Sequence, residues 1–447
     1  MPVAEIEAPR SIRRSPFVRR NLGLIAFGRF VSITGDSICY FSLIWFILES
    51  GGTAVQVSLL VACHILPSVF FGPVAGVIAD RFDRKSLLIV SDLLCATVIA
   101  GLALLLRLDG LTMRAMFAGS TLLALTASLH HPASSALLPD LVPADFLAKA
   151  NSLETSVSHI AKIVGVTAAG LAYGILGLMG ILLVGAGSFL VSAVSQSMLV
   201  ERWNGSVGFR PAGSSGFSLP GILREMREAF AYLRGEKQLY ALLWFLVALG
   251  MLTVPTIEVV FPLIFGRVFR TPLAELSYAQ GALSLGFAFG SLVCSRLAHT
   301  KRPGNRVSMN ILFASVTLFL FVIPIWPESG FLPKVGQKVG AYYLLSFAAG
   351  AFTAMGLIPA NVMFQSRVRS DMMGRVFGLI GSLSNAAIGI GLVMAGWLTD
   401  RVPAHFFLLM VSGIMILLSI WMRFSGSLGL SRNGGGKPKA NPAGNRI

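Results

Sequence analysis

A chain of 447 residues that is 55% apolar and only 13% charged cannot cover a water-facing surface, because soluble domains carry about 25% charged residues. With a mean hydropathy of +0.76, its solvent must largely be lipid. The formal net charge of +16 does not mark a nucleic-acid binder, since the basic residues sit in short loops between apolar runs and not on one polar face.

Residues 1–20 read as a charged cytoplasmic tail without the short apolar segment and cleavage site of a signal peptide. A membrane-crossing helix needs about 20 apolar residues. Runs of that size fall at 21–48, 55–79, 86–106, 112–138, 150–175, 178–200, 238–266, 273–298, 307–326, 340–365, 374–398 and 403–424, which predicts twelve crossings. Cys39, Cys63, Cys95 and Cys294 lie singly inside these runs, arguing for packing roles over a metal or disulfide framework. The polar break at 201–236 divides the spans into a half at 21–200 and a half at 237–424. Within it, Ile222, Met226, Phe230 and Leu233 recur at helical spacing opposite Arg224, Arg227, Glu225 and Glu228, which predicts an amphipathic surface helix. The Gly/Pro/Lys-rich tail at 425–447 is expected to be disordered.

Lys and Arg are enriched in cytoplasmic loops. Placing both termini in the cytoplasm puts 27 of the 36 basic residues inside and 7 outside, with Arg29 and Lys162 within spans. The two halves also share sequence. At an offset of 226, residues 156–170 lie over 382–396 with 6 of 15 positions identical, including Gly165/Gly391 and Gly170/Gly396, and His159 falls on Asn385. Inverted or parallel repeats of this kind organise many transporters.

After span 2 comes Gly72-Pro73-Val74-Ala75-Gly76-Val77-Ile78-Ala79-Asp80-Arg81-Phe82-Asp83-Arg84-Lys85. Its order, G-x-x-x-D-R-x-x-R-K in the loop between spans 2 and 3, resembles the inner-loop signature of the major facilitator superfamily, with Asp83 where that family usually has Gly. Loop 301–306 resembles a decayed second copy. Gly35-Asp36, Pro132-Ala133, Leu138 to Pro143, Ala150-Asn151-Ser152, Arg227 to Arg234 and Gly374-Arg375-Val376 are similar to the enterobactin-exporter-like and macrolide-efflux-like branch. The resemblance implies an all-α membrane protein of twelve helices, in two six-helix pseudo-repeats around a central cavity. It also implies a monomer in the plasma (inner) membrane, proton-coupled efflux of a drug or siderophore-like molecule, and a gating role for Gly76, Asp80, Arg81, Arg84 and Lys85 against Arg375. One departure bears on direction: the Pro that follows Gly165 in many antiporters is replaced by Val166. Lysophospholipid transporters of the same superfamily share the span 1 Gly-Asp, so lipid transport is an alternative. A non-transporting receptor or scaffold is a third reading.

Charges inside the bilayer cost some 2.5–3.5 kcal/mol each at mid-helix and default to functional hypotheses. At 1.5 Å per residue, Asp36 lies about 22 Å along span 1 and Lys162 about 20 Å along span 5, with Arg29 and Glu154 lower. Depth therefore predicts a ladder between these spans, Asp36 with Lys162 above Arg29 with Glu154. Glu258, between Pro255 and Pro262, is expected near an outer vestibule or at the interface. His159 and Asn385 are candidates to face each other across the cavity. His130-His131 reads as a near-surface pair without the partners a metal would need. No nucleotide, protease or esterase motif is present, so no enzyme activity and no cofactor is expected, and the proton gradient is the expected energy source. A filter loop or charge ring, the mark of a channel, is also lacking.

Overall fold

The structure, a computed structural model, describes residues 16–142, 147–200, 219–296, 303–326, 334–369 and 372–424. The tail at 425–447, most of the N-tail and loop 301–302 lie outside the described residues. The architecture is all-α, and the described residues contain no strand. Nine helical stretches among them are long and apolar enough to cross a membrane.

The first half is built from α1 (Pro16–Glu49), α2 (Ala54–Arg81), α3 (Arg84–Arg107), α4 (Met113–Leu141) and α5 (Leu147–Ser197). Their starts are locally encoded. Thr53 and Gln56 form a reciprocal capping box at α2, while the side chains of Asp83 and Thr112 cap α3 and α4. The Asp83 that departs from the family signature thus accepts from Ser86 N at 2.8 Å and starts α3.

Helix α5 has 51 residues, about 75 Å at 1.5 Å each, far beyond a hydrocarbon core of about 30 Å. It breaks at Gly177, where φ is 61° and ψ −179°. Contacts with α1 give the direction of each arm. Arg29 meets Ser158, Thr34 meets the Ala161 carbonyl, and Gly165 packs on Ser37, so the first arm runs parallel to α1. Cys39 meets the Ile181 carbonyl, Gly35 packs on Ser188 and Gly28 on Ser192, so the second arm returns antiparallel. Gly177 is therefore a hairpin in a conformation essentially reserved for glycine. Replacing it by alanine is expected to cost about 1–3 kcal/mol and lower the thermal unfolding midpoint of the purified protein. Gly187→Ala, where an added Cβ meets nothing within 4 Å, should not.

The second half comprises α6 (Leu219–Gly235), α7 (Lys237–Pro255), α8 (Phe261–Leu263), α9 (Leu273–Arg296), α10 (Pro303–Leu320), α11 (Val335–Arg367), α12 (Met373–Thr399) and α13 (Ala404–Phe424). Pro255 and Pro262 remove backbone donors from the α7–α8 rod, which continues through π-helical turns at Thr256–Val260 and Ile264–Phe269. Helix α6 is the expected amphipathic helix. It lies against α7 and α12, with Ala229 and Leu233 buried in the core of this half.

The repeat read from the sequence has a packing meaning. Gly165 packs on α1 and its equivalent Gly391 on α7; Gly170 packs on Ala274 of α9 and its equivalent Gly396 on Ser58 of α2. Small residues at these four positions let backbones approach without a side chain between them. The second pair joins the two halves near the end of the bundle remote from the termini, called here the far end.

Candidate functional site

On α1, Arg29, Asp36 and Tyr40 fall on one stripe, seven and four residues apart. Each meets a different part of the interior. Arg29 Nη1 lies 2.8 Å from His130 Nδ1 of α4, and its Nε donates to Ser158 of α5 at 3.4 Å. Gln196, on the second arm of α5, lies 2.9 Å from Asp92 Oδ2 of α3, 3.2 Å from His130 Nε2 and 3.1 Å from Ser192 Oγ. Asp92, Gln196 and Ser192 are fully buried, and His130 is 7% exposed. The sequence reading of His130 as a near-surface residue is therefore corrected: it is the hub of a polar network inside the first half. Glu154 accepts from Ser134 at 2.7 Å, and with Asp92 and Asp36 it supplies the carboxylate charge acting on Arg29. Among the described residues Arg29 has no ion pair within 4 Å, so the lower rung of the predicted ladder is a long-range attraction. A cavity of about 60 Å³ separates these groups and is lined by Arg29, Ser32, Asp36, Ser91, Asp92 and His130 among others.

Asp36 does not meet Lys162. Its Oδ2 lies 3.8 Å from Nε2 of His64 on α2. The His64 ring stacks on Tyr40 at a centroid distance of 4.3 Å, and the Tyr40 hydroxyl donates to Glu258 Oε2 at 3.2 Å. A polar chain of four side chains thus crosses from the first half to the second. Glu258 stands half-buried on the π-helical turn at Thr256–Val260, where its carboxylate meets α1. By helical rise, Asp36 lies about 20 Å and Tyr40 about 13 Å below the far end of α1. Asp36 and His64 keep 33% and 24% of their side-chain surface, so both remain open to the interior.

Azimuth explains why the upper rung fails. On the first arm of α5, the exposed Leu153, Ile160, Val164 and Leu171 form a lipid-facing stripe. At 3.6 residues per turn, the equally exposed Thr155, His159 and Lys162 fall on the opposite, interior side. Lys162 is an interior-facing cation with no ion pair among the described residues. Asn385 is half-buried on α12, one turn from Gly389, which packs on Leu66 of α2.

At the near end, Gly76, Asp80 and Arg81 belong to the last turns of α2, and the side chains of Asp80 and Arg81 lie outside the described residues. Lys85 donates to the Leu199 carbonyl at 2.7 Å, tying α3 to the end of α5; Arg84 opens α3. Arg375 pairs with Glu228 of α6 at 2.8 Å. At the far end the halves are latched. Asp400, ending α12, accepts from Ala54 N at 2.8 Å and Val55 N at 3.1 Å, the first free donors of α2. Arg267 stands 3.5 Å from Asp400 and donates to the Gly52 carbonyl. The structure is therefore closed at the far end.

Sequence reasoning missed His64, Tyr40, Asp92, Gln196 and Asp400. Asp92 alone carried a usable signal, being a carboxylate in the middle of span 3.

The model of the Major Facilitator Superfamily matches residues 25–392. Macrolide efflux protein A of Streptococcus pyogenes is 28% identical over 392 residues, covering 87% of this chain and 92% of that protein. The multidrug efflux pump Tap of Mycolicibacterium fortuitum is 28% identical over 407 residues, covering 90% and 95%. Among solved structures, a bacterial homologue of the iron transporter ferroportin in an inward-facing state superposes with a TM-score of 0.68 at 16% identity, covering 91% of this chain and 99% of that one.

Proposed function

The chain belongs to the major facilitator superfamily, and on that premise we propose that it exports a small amphipathic molecule of macrolide type in exchange for protons, by alternating access. Taking α2 and α4 as crossings beside the nine stretches, and the two arms of α5 as separate ones, the reading is of twelve crossings with both termini in the cytoplasm of a plasma-membrane monomer. The observation that carries the reading is the chain Asp36–His64–Tyr40–Glu258, which joins the halves below the far-end latch. A titratable carboxylate left open to the interior gives a proton and a substrate one place to compete. Rocking the halves would break the Tyr40–Glu258 contact and so tie proton occupancy to access. Arg375 is held by Glu228 in this state and is freed to meet the loop between α2 and α3 when the near end closes. Export, as opposed to uptake, is supported by the names of the relatives.

Purified protein in proteoliposomes tests this. Labelled erythromycin should show accelerated counterflow, and an imposed pH gradient should drive its accumulation. Absence of counterflow across a panel of macrolides and other drugs would sink the carrier reading. Counterflow of lysophospholipid alone would replace the substrate by a lipid.

A further inference from the structure

Helix α1 and the second arm of α5 pack closely where Gly28 meets Ser192. Beside that contact they bound a groove of about 320 Å³. Its walls are Leu24 and Phe27 of α1 with Leu190, Val191, Val194 and Met198 of α5, and all of these but Leu24 are exposed. The one hydroxyl in the groove, that of Ser195, is spent on the Leu24 carbonyl at 2.8 Å. In a chain that spans a membrane, such a recess is filled by acyl chain.

The near-end mouth of the groove is cationic. Arg20, Leu24 and Phe27 are four and three residues apart and share one face of α1. Arg20 Nη2 donates to the carbonyl of Met198, a groove residue, at 3.4 Å. That bond is long for an N–H···O contact and occupies one of five guanidinium donors. Arg19 beside it is also exposed, and neither forms an ion pair among the described residues. Lys85 adds a third cation at this corner, where it donates to the next carbonyl, that of Leu199. Asp83, at the same end of α3, is engaged by Ser86 N.

Depth places the two features in one leaflet. Arg20 and Glu49, the last residue of α1, are about 44 Å apart at 1.5 Å per residue, and a bilayer with its headgroups measures about 40–45 Å. Arg20 therefore stands at headgroup level. From Met198 to Leu190 the groove runs about 12 Å, short of a midplane about 22 Å above Arg20. Apolar walls alone select no lipid, because bulk acyl chains are as apolar as the groove. Selection falls to the charge at its mouth, and the arginine fork matches a phosphate.

We propose that this groove binds one anionic phospholipid of the near-end leaflet, with an acyl chain between α1 and the second arm of α5 and the phosphate held by Arg20 and Arg19. The site requires only a membrane-spanning chain and does not depend on what is carried.

The test is photolabelling of the full-length protein in phosphatidylcholine liposomes doped with phosphatidylglycerol that carries a diazirine in its acyl chain. Peptide mapping should find adducts on residues 24–27 and 190–198 in excess of those on the open lipid-facing stripe of Leu153, Ile160, Val164 and Leu171. At about fivefold per surface cation, unlabelled phosphatidylglycerol should compete about thirtyfold better than phosphatidylcholine. Arg20→Gln should lower that preference to about fivefold, and Arg20→Lys should keep most of it. Val194→Trp, which fills the groove from a position 61% exposed, should remove the groove adducts and spare the stripe. Adducts spread evenly over groove and stripe overturn the site, as does equal competition by phosphatidylcholine. A preference unmoved by Arg20→Gln overturns the headgroup assignment. Displacement of the label by erythromycin would make the groove a substrate port and overturn the lipid as its occupant.

Discussion

Replacing Asp36 by asparagine is expected to abolish pH-gradient-driven accumulation, by at least about tenfold, while counterflow without a gradient persists. Keeping a charge at this depth costs some 2.5–3.5 kcal/mol on the insertion scale, and among the described residues it has no compensating ion pair closer than His64 at 3.8 Å. A purely structural carboxylate would be better served by closer hydrogen bonds. Asn preserves shape and most polar contact with His64 but cannot carry a proton, so binding should survive and coupling should not. Glu258→Gln leaves an acceptor for the Tyr40 hydroxyl, which donates to Glu258 across the half-to-half contact. Its effect should therefore be smaller than that of Asp36→Asn. A double-mutant cycle separates this from the ladder suggested by depth alone. Since Asp36 and Lys162 form no ion pair, Asp36→Asn and Lys162→Gln should add within about 0.5 kcal/mol of activation free energy. A larger coupling would restore the ladder, and wild-type gradient-driven transport by Asp36→Asn would remove it from the coupling site.

The contrast between that ladder and the observed contacts marks where sequence stops informing. Depth follows from a fixed rise per residue, so the matching heights of Asp36 and Lys162 were readable. Azimuth depends on which neighbours surround a helix, and the interior holds more than one at each height. Asp36 turns to α2 and Lys162 to the interior beside it. His64 and Tyr40 gave no signal, because a single His or Tyr in an apolar run has the composition of packing. The repeat was legible for the opposite reason. Gly165/Gly391 and Gly170/Gly396 are constrained by close backbone approach to equivalent helices, and such constraints survive in sequence. The gap between runs 150–175 and 178–200 likewise foretold the hairpin at Gly177. The pairing of Arg375 with Glu228 could not be foreseen, because motif resemblance names partners without saying in which state of the cycle they meet.

Asp400→Ala is expected to open the far end. Asp400 accepts two backbone hydrogen bonds from Ala54 and Val55, and Arg267 braces it at 3.5 Å. Hydrogen bonds to a charged group contribute about 1.5–3 kcal/mol each; discounting for partial exposure, the pair should favour closure by roughly 2–4 kcal/mol. At tenfold per 1.4 kcal/mol, its removal shifts the closed-to-open ratio by about thirtyfold to several hundredfold. Helix α2 itself should stay folded, because the Thr53–Gln56 capping box remains. The readout is a cysteine at Ser58, which is 3% exposed beneath Gly396. Its reaction with a membrane-impermeant maleimide added on the far side should accelerate in proportion to the open fraction. Asp400→Asn, which retains one acceptor oxygen, should fall between, and Arg423→Ala, a charge change in the last turn of α13 at the near end, should have no effect. An unchanged labelling rate in Asp400→Ala would mean that the latch merely accompanies closure. If the rate rises as expected, turnover must fall, because a carrier held open on the far side releases substrate readily but returns slowly to load it again.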